Sequence, residues 1–217
     1  MTGPCILLTG FGPFPGAPYN PTQALVARLM HLRRPALDDV ELSSHIFPVT
    51  YAAVDRQLPD VLAAQKPDAL LMFGLAARTP YLRIETRARN AVTMLWPDAA
   101  NTRSSKRGIA GHADAMTFGP HTARLLRAAR LTGIDARPSR DAGAYLCNYL
   151  SWRAIENVKS GGPKLAAFIH IPLLARGGAV RRKGSARITL EELVDAGEAM
   201  LMEVVQLARK ARDTSVS

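Results

Sequence analysis

Apolar residues run unbroken from Cys5 to Leu8 and give way at Thr9 and Gly10, which predicts a short buried strand over Cys5 to Thr9. A helical spacing of apolar positions follows, from Pro21 to about Arg33. The segment Val40 to Val49 reads as a second strand. Tyr51 to Gln65 reads as a second helix, closed by Pro67, because the residue before a proline is pushed out of the helical region. Ala69 to Phe73 is continuously apolar between Asp68 and Gly74, the pattern of a parallel strand covered on both faces. The order to this point is β-α-β-α-β.

Period-two alternation takes over from Tyr81 to Asn90. It sets Tyr81, Arg83, Glu85, Arg87 and Arg89 on one face and Leu82, Ile84, Thr86 and Ala88 on the other, as in one half-buried strand. Asn101 to Gly111 is polar and contains glycine, so a mobile loop is expected there. Pro120 and Gly133 bracket a helix. Asp135 to Ser139 is a short strand, Tyr145 to Lys159 a helix, and Leu165 to Ile171 a strand stopped by Pro172. A basic, glycine-rich loop runs from Ala175 to Ala186. Thr189-Leu190-Glu191-Glu192 then fits a capping box, in which hydroxyl and carboxylate satisfy each other's orphan N–H groups, and opens a helix to about Arg212. No repeat, linker or composition shift divides the chain. The expectation is a single α/β domain over residues 1–217, a three-layer α/β/α arrangement with a mixed, mostly parallel sheet and helices on both faces.

At 217 residues, 47% hydrophobic and 21% charged, the chain is globular material able to bury a substantial core. The opening MTGPCILLTG has no basic region and only a four-residue apolar run, so neither a signal peptide nor a membrane span is read there, and the expected location is cytoplasmic. Cys5 and Cys147 lie far apart with no CxxC spacing, which argues against a disulfide framework or a zinc knuckle. The net charge of +10 invites a nucleic-acid reading. Outside Arg33-Arg34 and Arg181-Arg182-Lys183, however, the basic residues are dispersed, with no aromatic interleaving, and a solvated basic surface explains them better.

Three residues fall where chemistry needs them. In open α/β sheets ligands bind beyond the carboxyl ends of the strands, at the helix N-termini that follow. In the stretch SRDAGAYLCNYL, Cys147 occupies the first turn of a helix, where the partial positive charge favours thiolate, though a small buried hydrophobe fits the same position. His170, near the end of the strand AAFIHIP, is placed to reach the same edge, or to be a hydrogen-bonded core histidine. Glu85, among Arg83, Arg87 and Arg89, suits a surface ion pair as readily as the group that orients a catalytic imidazole. His31, His45, His112 and His121 show no ligand spacing, and no metal is assigned.

At these residues the sequence resembles the pyroglutamyl peptidases, cysteine peptidases of an α/β/α fold. LTGFGPF with Asn20-Pro21 is similar to the family's TGFxPF…NP, DAGAYLCN to its AGT(F/Y)xCN, and Phe168-Ile169-His170-Ile171-Pro172 to its FIHIP. The resemblance implies catalytic Glu85, Cys147 and His170 in that chain order. The opening glycine-rich loop lacks both GxGxxG spacing and a Walker lysine, so it is no phosphate cradle. Two exposed phenylalanines on a proline-stiffened loop suit a flat five-membered lactam, although a loop folded over its own aromatic core fits as well. The resemblance implies that Phe11 and Phe14 line the lactam pocket; Leu75, Tyr145 and Leu146 are expected to border it, and Asn20 to bond the ligand or hold the framework.

Departures from the family pattern cluster near this pocket. Leu75 and Ala77 replace a glutamine and a glycine, Thr86-Arg87-Ala88-Arg89-Asn90 stands where the family has RVAIN, and Leu95 stands where it has an arginine. Trp96, next along, is expected to close the pocket as an apolar lid. The implied reaction is removal of an N-terminal pyroglutamyl residue from small peptides through a thioester, with no cofactor, by a cytoplasmic homo-oligomer, a tetramer by resemblance. A relative with altered specificity or no catalysis, and a nucleoside phosphorylase-like enzyme, are the alternative readings.

Overall fold

The computed structural model describes residues 3–14, 16–111, 113–174 and 188–214. Its strands are β1 (Cys5–Phe11), β2 (Glu41–Phe47), β3 (Ala69–Leu75), β4 (Leu82–Glu85), β5 (Arg87–Arg89), β6 (Ala115–Thr117), β7 (Ala136–Ser139) and β8 (Leu165–Ile171). The helices are α1 (Pro21–Met30), α2 (Tyr51–Gln65), α3 (His121–Leu131), α4 (Leu146–Lys159) and α5 (Leu190–Asp213). Six strands form one sheet in the order β2-β1-β3-β8-β4-β7, while β5 and β6 make a separate antiparallel ribbon. The first four strands of that order run parallel; β4 pairs antiparallel with β8 and parallel with β7, so the sheet reverses direction between β8 and β4.

The period-two geometry of β1 and β3 divides the core. Ile6, Leu8, Leu71 and Phe73 pack against α1, α3 and α5 on one face, whereas Leu7, Leu70 and Met72 meet α2 and α4 on the other. The result is the expected α/β/α sandwich with a mixed, mostly parallel sheet. Thr189 and Glu192 form the capping box read from the sequence. No helix among the described residues is long and apolar enough to cross a membrane. The glycine-rich loop Ala175–Ala186, with Arg181-Arg182-Lys183, lies outside the described residues.

Three boundaries and one face differ from the sequence reading. The segment Tyr81 to Asn90 is two strands, because the chain leaves the main sheet at Thr86 and pairs β5 with β6, a three-residue strand with no pattern of its own. Its expected polar face is no solvent face: Glu85 is wholly buried. The first helix stops at Met30 rather than Arg33, since Arg34 must be extended to precede Pro35, which opens a 3-10 turn. Strand β1 runs on through Gly10 and Phe11, whose N–H donates to the Thr22 hydroxyl at 3.0 Å and whose carbonyl accepts from it at 3.0 Å. That extension seats Phe11 in the core at 2% exposure, 6.2 Å from Phe47 between ring centres, and overturns its reading as an exposed loop residue.

Candidate active site

Adjacent strands and one helix start bring the three chemical groups together. Gly74, on β3, is the register neighbour of His170 on β8. A Cβ placed on Gly74 would lie 2.7 Å from the Cys147 sulfur and 2.6 Å from the Phe168 ring, so the missing side chain is the space that the thiol occupies. Cys147 is the second residue of α4 and keeps partial contact with solvent. His170 is 4% exposed, and its Nδ1 lies 2.7 Å from Glu85 Oε1. Glu85 arrives from β4, which crosses β8 antiparallel with Arg83 opposite His170. Arg83 Nη2 also reaches Glu85 Oε1, at 2.9 Å. A buried carboxylate is costly unless paired, and here an imidazole and a guanidinium share one oxygen.

Electrostatics at the sulfur oppose the simple helix-terminus expectation. Burial pushes the Cys147 thiol up to about 12, and the negative charge of Glu85 adds to it; the Arg83 guanidinium and the N–H groups of Leu75 and of Cys147 itself pull the other way. The balance of these influences favours the thiol over the thiolate expected from the helix terminus alone. A base must take the proton during attack. Cys5 is also raised by burial, sits in β1 at 8% exposure, and donates its S–H to the Gln65 carbonyl.

The pocket residues divide. Phe11, Phe14, Tyr145 and Leu146 all belong to the core face on which Cys147 packs. Of the two phenylalanines only Phe14 is partly accessible, pinned by paired hydrogen bonds with Ala17. Leu75 stands at the end of β3, and its N–H favours negative charge at the sulfur. Asn20 is a framework residue: its amide donates to the Gly12 carbonyl at 3.1 Å, and its carbonyl oxygen caps α1 through Thr22. Trp96 is 60% exposed and packs in neither core cluster, so the described geometry does not make it a lid. Tyr145 instead ties that segment down, its hydroxyl donating to the Pro97 carbonyl at 2.8 Å. A separate cleft of about 290 Å3 opens at the same sheet edge, lined by Ala77, Arg78, Thr79, Pro80, Pro172, Leu173 and Ile188, and takes none of the expected pocket residues.

Two organising residues escaped the sequence reading. Asn148 is wholly buried and bonds both backbone groups of Arg89, accepting its N–H at 2.9 Å and donating to its carbonyl at 2.8 Å, with a second donation to Ala91 at 2.9 Å. Arg83 joins Glu85 to Ser139. Adjacency of Asn148 to Cys147 was the available signal for the first; for Arg83 only the partner strand could give one.

Known proteins place this arrangement. A family model described as pyroglutamyl peptidase matches residues 5–206. The pyrrolidone-carboxylate peptidase of Gloeobacter violaceus is 30% identical over 202 residues, 93% of this chain and 96% of that one. The enzyme of the same name from Pyrococcus furiosus is 29% identical over 171 residues, 78% and 81% of the two chains. Among solved structures, pyrrolidone carboxyl peptidase from Thermococcus litoralis superposes with a TM-score of 0.83 at 25% identity, covering 97% of this chain and 96% of that one. That from Fervidobacterium islandicum gives 0.83 at 26%, covering 93% and 98%. Fold and relatives together define a cysteine-type hydrolase on an α/β/α scaffold. The chain belongs to the pyroglutamyl peptidase family.

Proposed function

We propose that the protein removes the N-terminal pyroglutamyl residue from small peptides, with Cys147 as nucleophile, His170 as base and Glu85 as the group that orients it. The observation carrying this assignment is the buried 2.7 Å contact between His170 Nδ1 and Glu85 Oε1, on the strand beside the thiol's niche. A carboxylate only accepts, so Nδ1 carries the hydrogen and Nε2 is left as the proton acceptor. His170 takes the proton of Cys147 as sulfur attacks the pyroglutamyl carbonyl. The N–H groups of Leu75 and Cys147, which favour negative charge at the sulfur, suit the oxyanion that forms beside it. The imidazolium then protonates the leaving amine, and a water deprotonated by His170 hydrolyses the thioester. Phe14, Leu75 and Tyr145 supply the apolar wall for the lactam, with Leu146 and Phe11 buried beneath it. Residues 1–217 act as one domain in this reading, as a homo-oligomer of the tetrameric kind implied by the resemblance. Two free thiols suit a reducing cytoplasm.

Release of an arylamine from a pyroglutamyl arylamide by the purified protein tests the activity, with Cys147→Ser as the blank. No release, or release that survives that substitution, overturns the assignment. Light scattering of the same preparation checks the assembly.

A further inference from the structure

Every second residue of the segment 83–89 except Glu85 is an arginine, and the structure gives all three the same employment. Arg83 Nη2 donates to the Asp141 carbonyl and, at 2.9 Å, to the Ser139 hydroxyl. Arg87 Nε donates to the Arg140 carbonyl at 2.8 Å. Arg89 Nη2 donates to the Gly143 carbonyl at 3.3 Å and pairs with the Asp141 carboxylate at 2.9 Å. Guanidinium groups thus hold the carbonyls of residues 140, 141 and 143, which form the connection from β7 to the helix of Cys147. Between them the main chain bends at Gly143, whose φ of +83° favours glycine. From the other side Asn148 welds the first turn of α4 to the backbone of Arg89.

We propose that Arg87 and Arg89, with Arg83, form an arginine clamp that positions the 139–143 segment, and through it the Cys147 helix start, for the reaction; this rests on the activity proposed above. They are positioning residues, since none of the contacts reaches the sulfur. The physical reason lies in the trans peptide, whose C=O and N–H point in opposite directions. Carbonyls drawn toward the guanidinium groups turn the following N–H groups of Ala142 and Ala144 away from them and keep negative dipoles off the side where an oxyanion must form. Arginine suits the task because its planar fork reaches two acceptors at once, as Arg83 and Arg89 both do. The clamp also explains the basic alternation without a nucleic-acid partner: these arginines are spent on backbone carbonyls, the Ser139 hydroxyl and the carboxylates of Glu85 and Asp141.

The test uses Arg87→Met, Arg89→Met, the double variant, their lysine counterparts, and Arg137→Met as control, whose guanidinium pairs with exposed Asp135 and lies over the Tyr81 ring. Two readouts are needed: kcat and KM on a pyroglutamyl arylamide, and the rate of tryptic cleavage after Arg140 in the native protein, read by mass spectrometry of the fragment beginning at Asp141. The double methionine variant should lose about tenfold or more in kcat with KM within about twofold, because misplacement acts on the transition state. It should be nicked about tenfold faster, while the lysine variants, which keep a donor, recover most of both. Single variants serve if the double does not fold. A folded double variant with parental kcat, whether or not nicking accelerates, overturns the proposal, as does a fall in kcat without faster nicking. Should the parent itself release no arylamine, the activity reading fails instead; unchanged nicking together with an unchanged Cys147 alkylation rate in the double variant would then refute the clamp.

Discussion

Opposing influences meet at the Cys147 sulfur: burial and Glu85 hold its proton, while Arg83 and two backbone N–H groups favour its loss. Because the net shift is upward, the thiolate fraction of the free protein is small at neutral pH and should rise about tenfold per pH unit up to pH 9 or so. Iodoacetamide labelling against pH checks this sign, and a plateau below about pH 7 would contradict it. Arg83→Met removes a favourable charge and should slow labelling at every pH in that range. Replacing His170 by Ala should cost at least about a hundredfold in kcat, the scale of a general base. Glu85→Gln should cost a similar factor, since an amide can present its NH2 group to Nδ1 and stabilise the wrong tautomer. Steady-state kinetics on one arylamide measures both, and variants within about threefold of the parent would remove these residues from the mechanism.

Strand β3 shows how an element serves the site by what it omits. Gly74→Ala would put a methyl group 2.7 Å from sulfur and 2.6 Å from Phe168, in a strand flanked on both sides and unable to retreat. Overpacking of this kind costs about 1–3 kcal/mol. The sulfur must move too, so the loss of kcat should exceed what the fall in melting temperature explains. Retention of parental activity would show that the thiol reacts from another position. The β5–α4 seam invites a second test. Asn148→Leu leaves the Arg89 N–H and the Ala91 carbonyl without the Asn148 amide, at about 1–3 kcal/mol for each buried group, while the Arg89 carbonyl keeps the Ala91 N–H at 2.8 Å. Denaturant midpoints should fall accordingly, by more than those of a surface Asn substitution.

For the molecule as a whole, the perturbed groups bracket a stability window. Burial lowers His121, whose Nε2 faces the Ala166 carbonyl at 2.8 Å, so the folded protein resists protonation there and loses stability as pH falls below about 6.5. On the alkaline side Cys5, Cys147 and Tyr51 are all raised by burial. Groups that hold their protons more tightly when folded contribute stability that is lost as pH rises past the ordinary thiol value of about 8.5. Melting temperatures measured from pH 5 to 11 should therefore peak between these limits, and a maximum outside them would contradict the burial of these side chains.

Much of this was legible along the chain. The apolar runs of β1, β3 and β8, the capping box at Thr189 and the single cysteine at a helix start follow from local pattern, because a strand covered on both faces has to be apolar and a helix end has to satisfy its own N–H groups. Position also raised His170 and Glu85 as candidates, each beside a structural alternative, and motif resemblance gave them their roles. Tertiary structure alone decided the rest. Alternation over residues 81–90 is the same whether the polar side faces water or a neighbouring segment, so only the crossing of β4 with β8 shows Glu85 buried against His170 and the arginines gripping residues 139–143. Phe11 looked exposed because a glycine-rich stretch reads as loop, yet Thr22 extends the strand through it. The thiol's resting state was equally out of reach of sequence, since a helix N-terminus favours charge and burial opposes it, and which of the two prevails depends on how closely Gly74, Phe168 and Glu85 surround the sulfur.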